Sequence, residues 1–148
     1  MRLLAACLVL CLSAPSAWGD DAGPWELRMG GFSHHLRDDG ELNDRNLGIG
    51  GQYSFSSSCG LDVGGYRNSE RGWSDYAFVR IQPWTFGPAH VGALAGGVTG
   101  YRRKDGHVIF GAIPAATAYF GHLDTTLILI PNGFGEQGVV SILLGWRL

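Results

Sequence analysis

The closing stretch of the chain, Gly138-Val-Val-Ser-Ile-Leu-Leu-Gly-Trp-Arg-Leu148, decides the fold class. Its even-numbered positions form one apolar face: Val140, Ile142, Leu144, Trp146 and Leu148. Its odd-numbered positions are small or polar, with Leu143 as the exception. An alternation with a period of two, with an aromatic residue close to the carboxyl terminus, is typical of a membrane β-barrel strand that has lipid on one side and the barrel lumen on the other.

The opposite end of the chain carries the features of an export signal. A short positive start, Met1-Arg2, precedes an apolar run from Leu3 to Leu12, and Ala17-Trp18-Gly19 supplies small residues suited to signal peptidase. The apolar run is too short to cross a bilayer as a helix. We therefore predict a cleaved secretory signal peptide over residues 1–19 and a single barrel domain over residues 20–148. An exported barrel strand is expected in the bacterial outer membrane.

The composition agrees with a small barrel. The chain has 24 glycines among 148 residues and a formal net charge of −2. Glycine weakens an exposed strand, but it fits where the strands of a narrow barrel bend and side chains crowd the lumen. The small net charge provides no bulk field for nucleic acid. We expect no metal site, no cofactor and no nucleic-acid partner.

Eight segments of the sequence have the length and composition of strands. They cover residues 25–36, 46–55, 61–68, 75–84, 89–102, 107–120, 123–131 and 138–148. The connections between them are alternately long and short, as expected of barrels with short periplasmic turns and longer outer loops. The sequence thus predicts an all-β, eight-stranded antiparallel up-and-down transmembrane β-barrel. A secreted barrel of the lipocalin type is the soluble alternative, and the uninterrupted aliphatic face of the closing strand disfavours it.

Two prolines lie where a closed barrel should not have them. Pro114 falls inside the sixth segment and Pro131 ends the seventh. Proline lacks the N–H group that a β-ladder needs, and no water is available in the bilayer core to replace the lost bond. The pair indicates either a bulge that relieves curvature or a weakened seam through which a lipid tail could pass.

Several short motifs follow one another along the chain: Ser33-His34-His35, Asn43-Asp44-Arg45, Asn68-Ser69, Gly97-Val98-Thr99, Pro114 and Pro131. Their order resembles that of the lipid A palmitoyltransferase family. The family consists of eight-stranded outer-membrane barrels that move a palmitoyl chain from a glycerophospholipid to lipid A. The resemblance implies an acyltransferase whose partners are membrane lipids, and we expect it to be a monomer.

In that family a His, an Asp and a Ser near the outer rim serve catalysis. By resemblance, His35 is the His, with His34 as the second choice, and Ser69 is the Ser. Alternation along the first strand would turn His34 inward, unless Gly30-Gly31 carries a bulge. Asn68 stands at the position of the family Asp, and an amide can orient a partner but cannot act as a base.

The resemblance also suggests residues that bind substrate. Arg80 takes the place of a small residue at the floor of the acyl pocket, so an inward Arg80 would make that pocket shorter or change its shape. Arg102 and Arg103 could hold the phosphates of lipid A, although a solvated loop is the stronger interpretation there. The alternatives for the whole protein are a non-catalytic barrel that binds or senses lipid, a small adhesin, and a lipase in which water replaces the hydroxyl acceptor.

Overall fold

The computed structural model describes residues 23–36, 42–101, 107–131 and 138–148. The predicted signal peptide, Arg102 and Arg103 lie outside the described residues. Within these ranges there is no helix long and apolar enough to cross a membrane.

Eight antiparallel strands close into a barrel in which every strand pairs with its sequence neighbours and the last pairs with the first. They are β1 (Trp25–His35), β2 (Gly48–Ser56), β3 (Cys59–Arg67), β4 (Trp73–Phe86), β5 (Ala89–Val98), β6 (Ile109–Phe120), β7 (Leu123–Ile130) and β8 (Val139–Arg147). The predicted fold class is therefore confirmed: this is an eight-stranded up-and-down transmembrane β-barrel.

Most strand bounds differ from the predicted ones by a few residues, and two of these differences have identifiable reasons. β5 ends at Val98, because Gly100 adopts a φ of 86° that a continuing strand does not allow. β4 runs on to Phe86 past Pro83, and its pairing with β5 shifts between Ile81 and Trp84. A bulge leaves the proline outside the ladder, so the strand continues beyond it.

The two ends of the barrel are different. The turns after β2, β4 and β6 are tight, and two of them use a glycine with positive φ, Gly87 (58°) and Gly121 (63°). We call this the turn end; β1 begins there and β8 finishes there. The longer connections follow β1, β3, β5 and β7 at the opposite end, which we call the loop end.

The barrel wall is apolar outside and largely polar inside. Large side chains that face outward include Phe32 (62% exposed), Ile49 (62%) and Phe110 (75%). The largest fully buried side chains are instead polar, led by Arg28 and Arg80. A polar interior within an apolar wall is the arrangement of a barrel embedded in lipid.

A bulge at Gly30-Gly31 divides β1 into two halves. The register of β1 against β8 shifts between Met29 and Phe32. Neither glycine can carry a side chain, because a Cβ at Gly30 would overlap the carbonyl oxygen of Asn46 and one at Gly31 the carbonyl oxygen of Ile142. The shift reverses the facing of the later residues, so His35 points inward at 2% exposure and His34 points outward.

The seam between β6 and β7 is only partly paired. The two strands pair from Phe120 and Leu123 up to Ala115 and Ile128, without a register shift. Above this point β6 still pairs with β5, including Pro114 opposite Ala93, but not with β7. The pairing therefore stops where Pro114 removes a backbone donor, which agrees with a weakened seam rather than with a bulge.

Candidate functional site

A cavity of about 130 Å³ lies inside the barrel, towards the loop end. Its walls are mostly apolar: Phe78, Leu94, Ile113, Ile128, Ile130 and Leu143. Leu94, Ile128 and the neighbouring Ala115 form the buried apolar cluster of the barrel. Such a space can accept a hydrocarbon chain and excludes most of the water around it.

A charged layer closes the cavity towards the turn end. Arg28 lines the cavity together with Asp62, and its guanidinium donates to Asp124, Gln52 and Thr126. This layer contains two more carboxylates near Arg28, because Glu26 lies 3.5 Å and Asp62 3.6 Å from guanidinium nitrogens. Arg28 thus joins three buried carboxylates, so the layer forms a polar floor beneath the cavity.

Arg80 belongs to the same floor. It is 1% exposed and donates to the Tyr119 hydroxyl at 2.7 Å and to Ser54 at 2.9 Å. It therefore points inward. It does not line the cavity itself, so its effect on the depth or shape of an acyl pocket stays a prediction.

The loop end of the cavity carries a histidine–carboxylate pair. His35 lines the cavity, and its Nδ1 lies 2.9 Å from Asp44 Oδ1. The Asp44 side chain is 45% exposed, whereas that of His35 is 1% exposed. When Nδ1–H donates to a carboxylate, the other ring nitrogen, Nε2, keeps its lone pair and can accept a proton.

The backbone brings Asp44 to this position. The Ser33 N–H donates to the carbonyl oxygen of Asp44 at 2.9 Å, and Phe32 pairs with Arg45 in an isolated bridge. The connection between β1 and β2 therefore runs alongside the upper half of β1. Sequence reasoning used Asp44 only as a landmark, although an acidic residue flanked by two polar ones in that connection was the available signal.

Ser69 reaches the same cavity from the β3–β4 turn. It is 5% exposed and lines the cavity together with His35. Its carbonyl oxygen accepts a hydrogen bond from the Asn43 N–H at 2.9 Å, which ties the turn to the segment that carries Asp44. Among the described residues no hydrogen bond joins the Ser69 hydroxyl to the His35 ring. The two predicted residues thus share a cavity without direct contact.

Asn68 has a different position from its neighbour. It is fully buried, and its Nδ2 donates to Ser74 Oγ at 2.9 Å and to the Gly100 carbonyl at 3.0 Å. Its Oδ1 accepts from the Gly72 N–H at 2.9 Å. All polar groups of the amide are engaged in holding the turn, and Asn68 does not line the cavity.

The other predicted residues either do not line the cavity or lie outside the described residues. His34 faces outward, opposite Val140 of β8. Pro114 and Pro131 flank the unpaired part of the β6–β7 seam, beside Ile113 and Ile130 of the cavity wall. No group of three metal-binding side chains occurs within the described ranges.

Comparison with known proteins identifies the fold alone. No protein family and no curated protein matches the chain. Two solved structures share the architecture at low identity. One comes from the de novo design of transmembrane β-barrels, with 15% identity, a TM-score of 0.60, and coverage of 87% of this chain and 98% of that one. The other is the de novo designed TMB2.3, solved by solution NMR, with 13% identity, a TM-score of 0.61, and coverage of 87% and 97%. The chain is therefore similar to designed transmembrane β-barrels.

Proposed function

We propose that this protein is an acyltransferase of the bacterial outer membrane, which moves a palmitoyl-type acyl chain from a glycerophospholipid to lipid A. The observation that carries the proposal is the His35–Asp44 pair at the mouth of an apolar cavity. Acyl transfer needs a base, a hydroxyl and a dry space for the acyl chain. His35, Ser69 and the apolar wall provide these three parts within one cavity.

In the proposed reaction, the donor's acyl chain lies along the apolar wall with its ester next to His35. Nε2 takes the proton of the attacking hydroxyl, while Asp44 holds the imidazole orientation through Nδ1. When the ester bond breaks, Nε2 returns this proton to the glycerol oxygen, and the donor leaves as a lysophospholipid. Ser69 either attacks the ester itself or donates a hydrogen bond to the oxyanion. The first role predicts an acyl-enzyme that can be trapped, and the second does not.

Access for the acyl chain is proposed at the β6–β7 seam. Above Pro114 the two strands form no ladder pairs, and the residues beside the gap also line the cavity. A hydrocarbon tail could enter there from the bilayer without crossing the charged floor. The unpaired backbone is tolerable because it borders a cavity, where a ligand or water reaches it.

The charged floor of the cavity limits the length of the acyl chain that fits below His35. His35 lies seven steps along β1 from Arg28, and the bulge absorbs one of these steps. At ~3.3 Å per residue and a strand tilt of ~40°, the floor lies on the order of 15 Å below His35. A donor series should therefore include chains shorter than palmitoyl.

A non-catalytic barrel that binds or senses lipid is the second candidate. The observation that favours it is Asn68, whose amide is committed to the turn and offers no acid–base group. In this alternative the cavity still takes an acyl chain, but no ester is broken.

Lipid A mass spectrometry distinguishes the two candidates. Cells lacking the gene would be complemented with the wild type, with Ser69→Ala or with His35→Ala, and lipid A would be compared under outer-membrane stress. We expect a mass increment of one acyl chain that requires the wild-type gene and is lost in both variants. Lipid A that is identical with and without the gene would favour the non-catalytic barrel.

A further inference from the structure

Three arginines that take no part in the proposed chemistry cluster on the outside of the barrel at the loop end. Arg45 lies in the connection between β1 and β2, Arg67 ends β3, and Arg71 lies in the following turn. All three are exposed. They line one surface pocket of about 290 Å³ with Asn43 and Leu47. We call these three arginines the basic rim.

The ion pairs that join two described residues involve Arg28, His35 and Arg147, and none of them involves a rim arginine. Guanidinium groups that line one pocket repel one another, and an anion bound among them relieves this repulsion.

The position of the basic rim indicates which anion it binds. Arg45 pairs with Phe32, and the Arg67 N–H donates to the Leu47 carbonyl at 2.9 Å. The outward side chains nearby are apolar and highly exposed, with Phe32 at 62%, Leu47 at 63% and Ile49 at 62%. The three arginines thus lie directly above an exposed apolar part of the barrel wall. This matches a lipid whose phosphate lies at the rim and whose tails run down the barrel.

The backbone of the turn supports a role for Arg71. Its φ is 62°, in the left-handed region that favours glycine. The turn is fixed by the Arg71 N–H bond to the Asn68 carbonyl at 3.0 Å and by the Gly72 N–H bond to Asn68 Oδ1 at 2.9 Å. Residues in such a conformation are often found at functional sites, so the presence of an arginine here, where glycine is less strained, agrees with a use for its side chain.

We infer that the basic rim binds the phosphate groups of a phosphorylated lipid in the membrane leaflet at the loop end. Arginine binds phosphate through paired N–H donors, and several guanidinium groups can share a lipid that carries more than one phosphate. The lipid is held on the outer wall, not in the cavity. The site does not depend on the proposed acyl transfer, since it requires neither His35 nor Ser69.

The test measures the affinity of the full chain, folded in neutral detergent, for two probes by native mass spectrometry. The probes are lipid A with two phosphates and the same lipid after enzymatic dephosphorylation. We expect the phosphorylated form to bind at least tenfold more tightly, and the difference to shrink as salt is raised. Equal affinity for the two forms would overturn the inference without any variant being made.

Variants then locate the site. Combined Arg45→Gln, Arg67→Gln and Arg71→Gln should remove the preference for the phosphorylated lipid. Arg67→Gln alone should weaken binding severalfold, whereas Thr85→Glu, an equal change in charge at the turn end, should leave it unchanged. The gel mobility of the triple variant shows whether it is folded. A folded triple variant that keeps wild-type affinity would place the phosphate elsewhere and overturn the inference. Complete displacement of the lipid by millimolar inorganic phosphate would assign the site to free phosphate and also overturn it.

Discussion

Replacing Asp44 with Asn tests whether the buried histidine works as an oriented base. The substitution keeps the size of the side chain and removes the charge that accepts from His35 Nδ1 at 2.9 Å. An amide can still accept that proton, but it can also rotate and donate to Nδ1, which moves the ring proton to Nε2 and blocks its role as a base. Asp44→Asn should therefore slow acyl transfer while leaving the cavity intact.

The exposure of the Asp44 side chain determines how large a loss of transfer rate we expect from Asp44→Asn. In a fully buried triad the same substitution lowers the rate by about 10⁴. Here the carboxylate is 45% exposed, so solvent already weakens its field at the imidazole and competes for its hydrogen bond. We expect a rate loss of ~10- to 100-fold, which is ~1.4–2.7 kcal/mol of activation free energy. His35→Ala removes the base itself and should cost ~10²- to 10⁴-fold.

The assay is the initial rate of labelled acyl transfer from a phospholipid to lipid A in mixed micelles. The matched control is Asp75→Asn, which makes the same change at an exposed carboxylate that accepts from Trp73 Nε1 at 2.9 Å, outside the cavity. It should keep the wild-type rate. A wild-type rate for Asp44→Asn together with an inactive His35→Ala would refute the orienting role. A wild-type rate for His35→Ala would refute the role of His35 as the catalytic base.

Three further predictions concern the barrel itself. Arg28→Met leaves the buried carboxylates of the floor without their shared cation and should lower the free energy of unfolding by ~3–5 kcal/mol in urea titrations with lipid vesicles. Gly31→Ala places a Cβ on the Ile142 carbonyl, so the bulge that turns His35 inward must shift; we expect ~1–3 kcal/mol of destabilisation and an impaired transfer rate. A disulfide formed from Ile113→Cys and Ile130→Cys should clamp the β6–β7 seam and slow transfer at least tenfold, with recovery on reduction.

Each of these experiments has a defined contrary result. A loss below ~1 kcal/mol for Arg28→Met would mean that the floor carboxylates are neutral or solvated rather than paired. A fully active and stable Gly31→Ala would show that the bulge tolerates a side chain. For the seam, the control disulfide joins Ala95→Cys and Ala112→Cys, which face each other in the fully paired β5–β6 ladder. Equal rates for the two oxidised variants would exclude the seam as the route of the acyl chain.

The architecture was readable from the sequence because lipid on one face and a packed lumen on the other impose a period of two on every strand. The prediction was less accurate where one residue changes the backbone. Gly100 ends β5 early through its positive φ, and Pro83 is carried inside β4 by a bulge. Neither event leaves a periodic signal, since both depend on a single backbone conformation.

The candidate site was only partly predictable. The choice between His34 and His35 rested on a bulge at Gly30-Gly31, and the structure contains it. Asp44 was not predicted as a partner of His35, because its place follows from backbone bonds between an aperiodic connection and β1. Such contacts between residues that no periodicity relates cannot be read from a single sequence.

The most direct test of the central claim is a reconstitution with purified components. The folded barrel would be mixed with a glycerophospholipid and lipid A in detergent, and lipid A would be weighed by mass spectrometry over time. The account predicts a new species heavier by one acyl chain, formed together with a lysophospholipid, and absent with His35→Ala. Unchanged lipid A and intact phospholipid, from a barrel that still binds an acyl chain in its cavity, would contradict it.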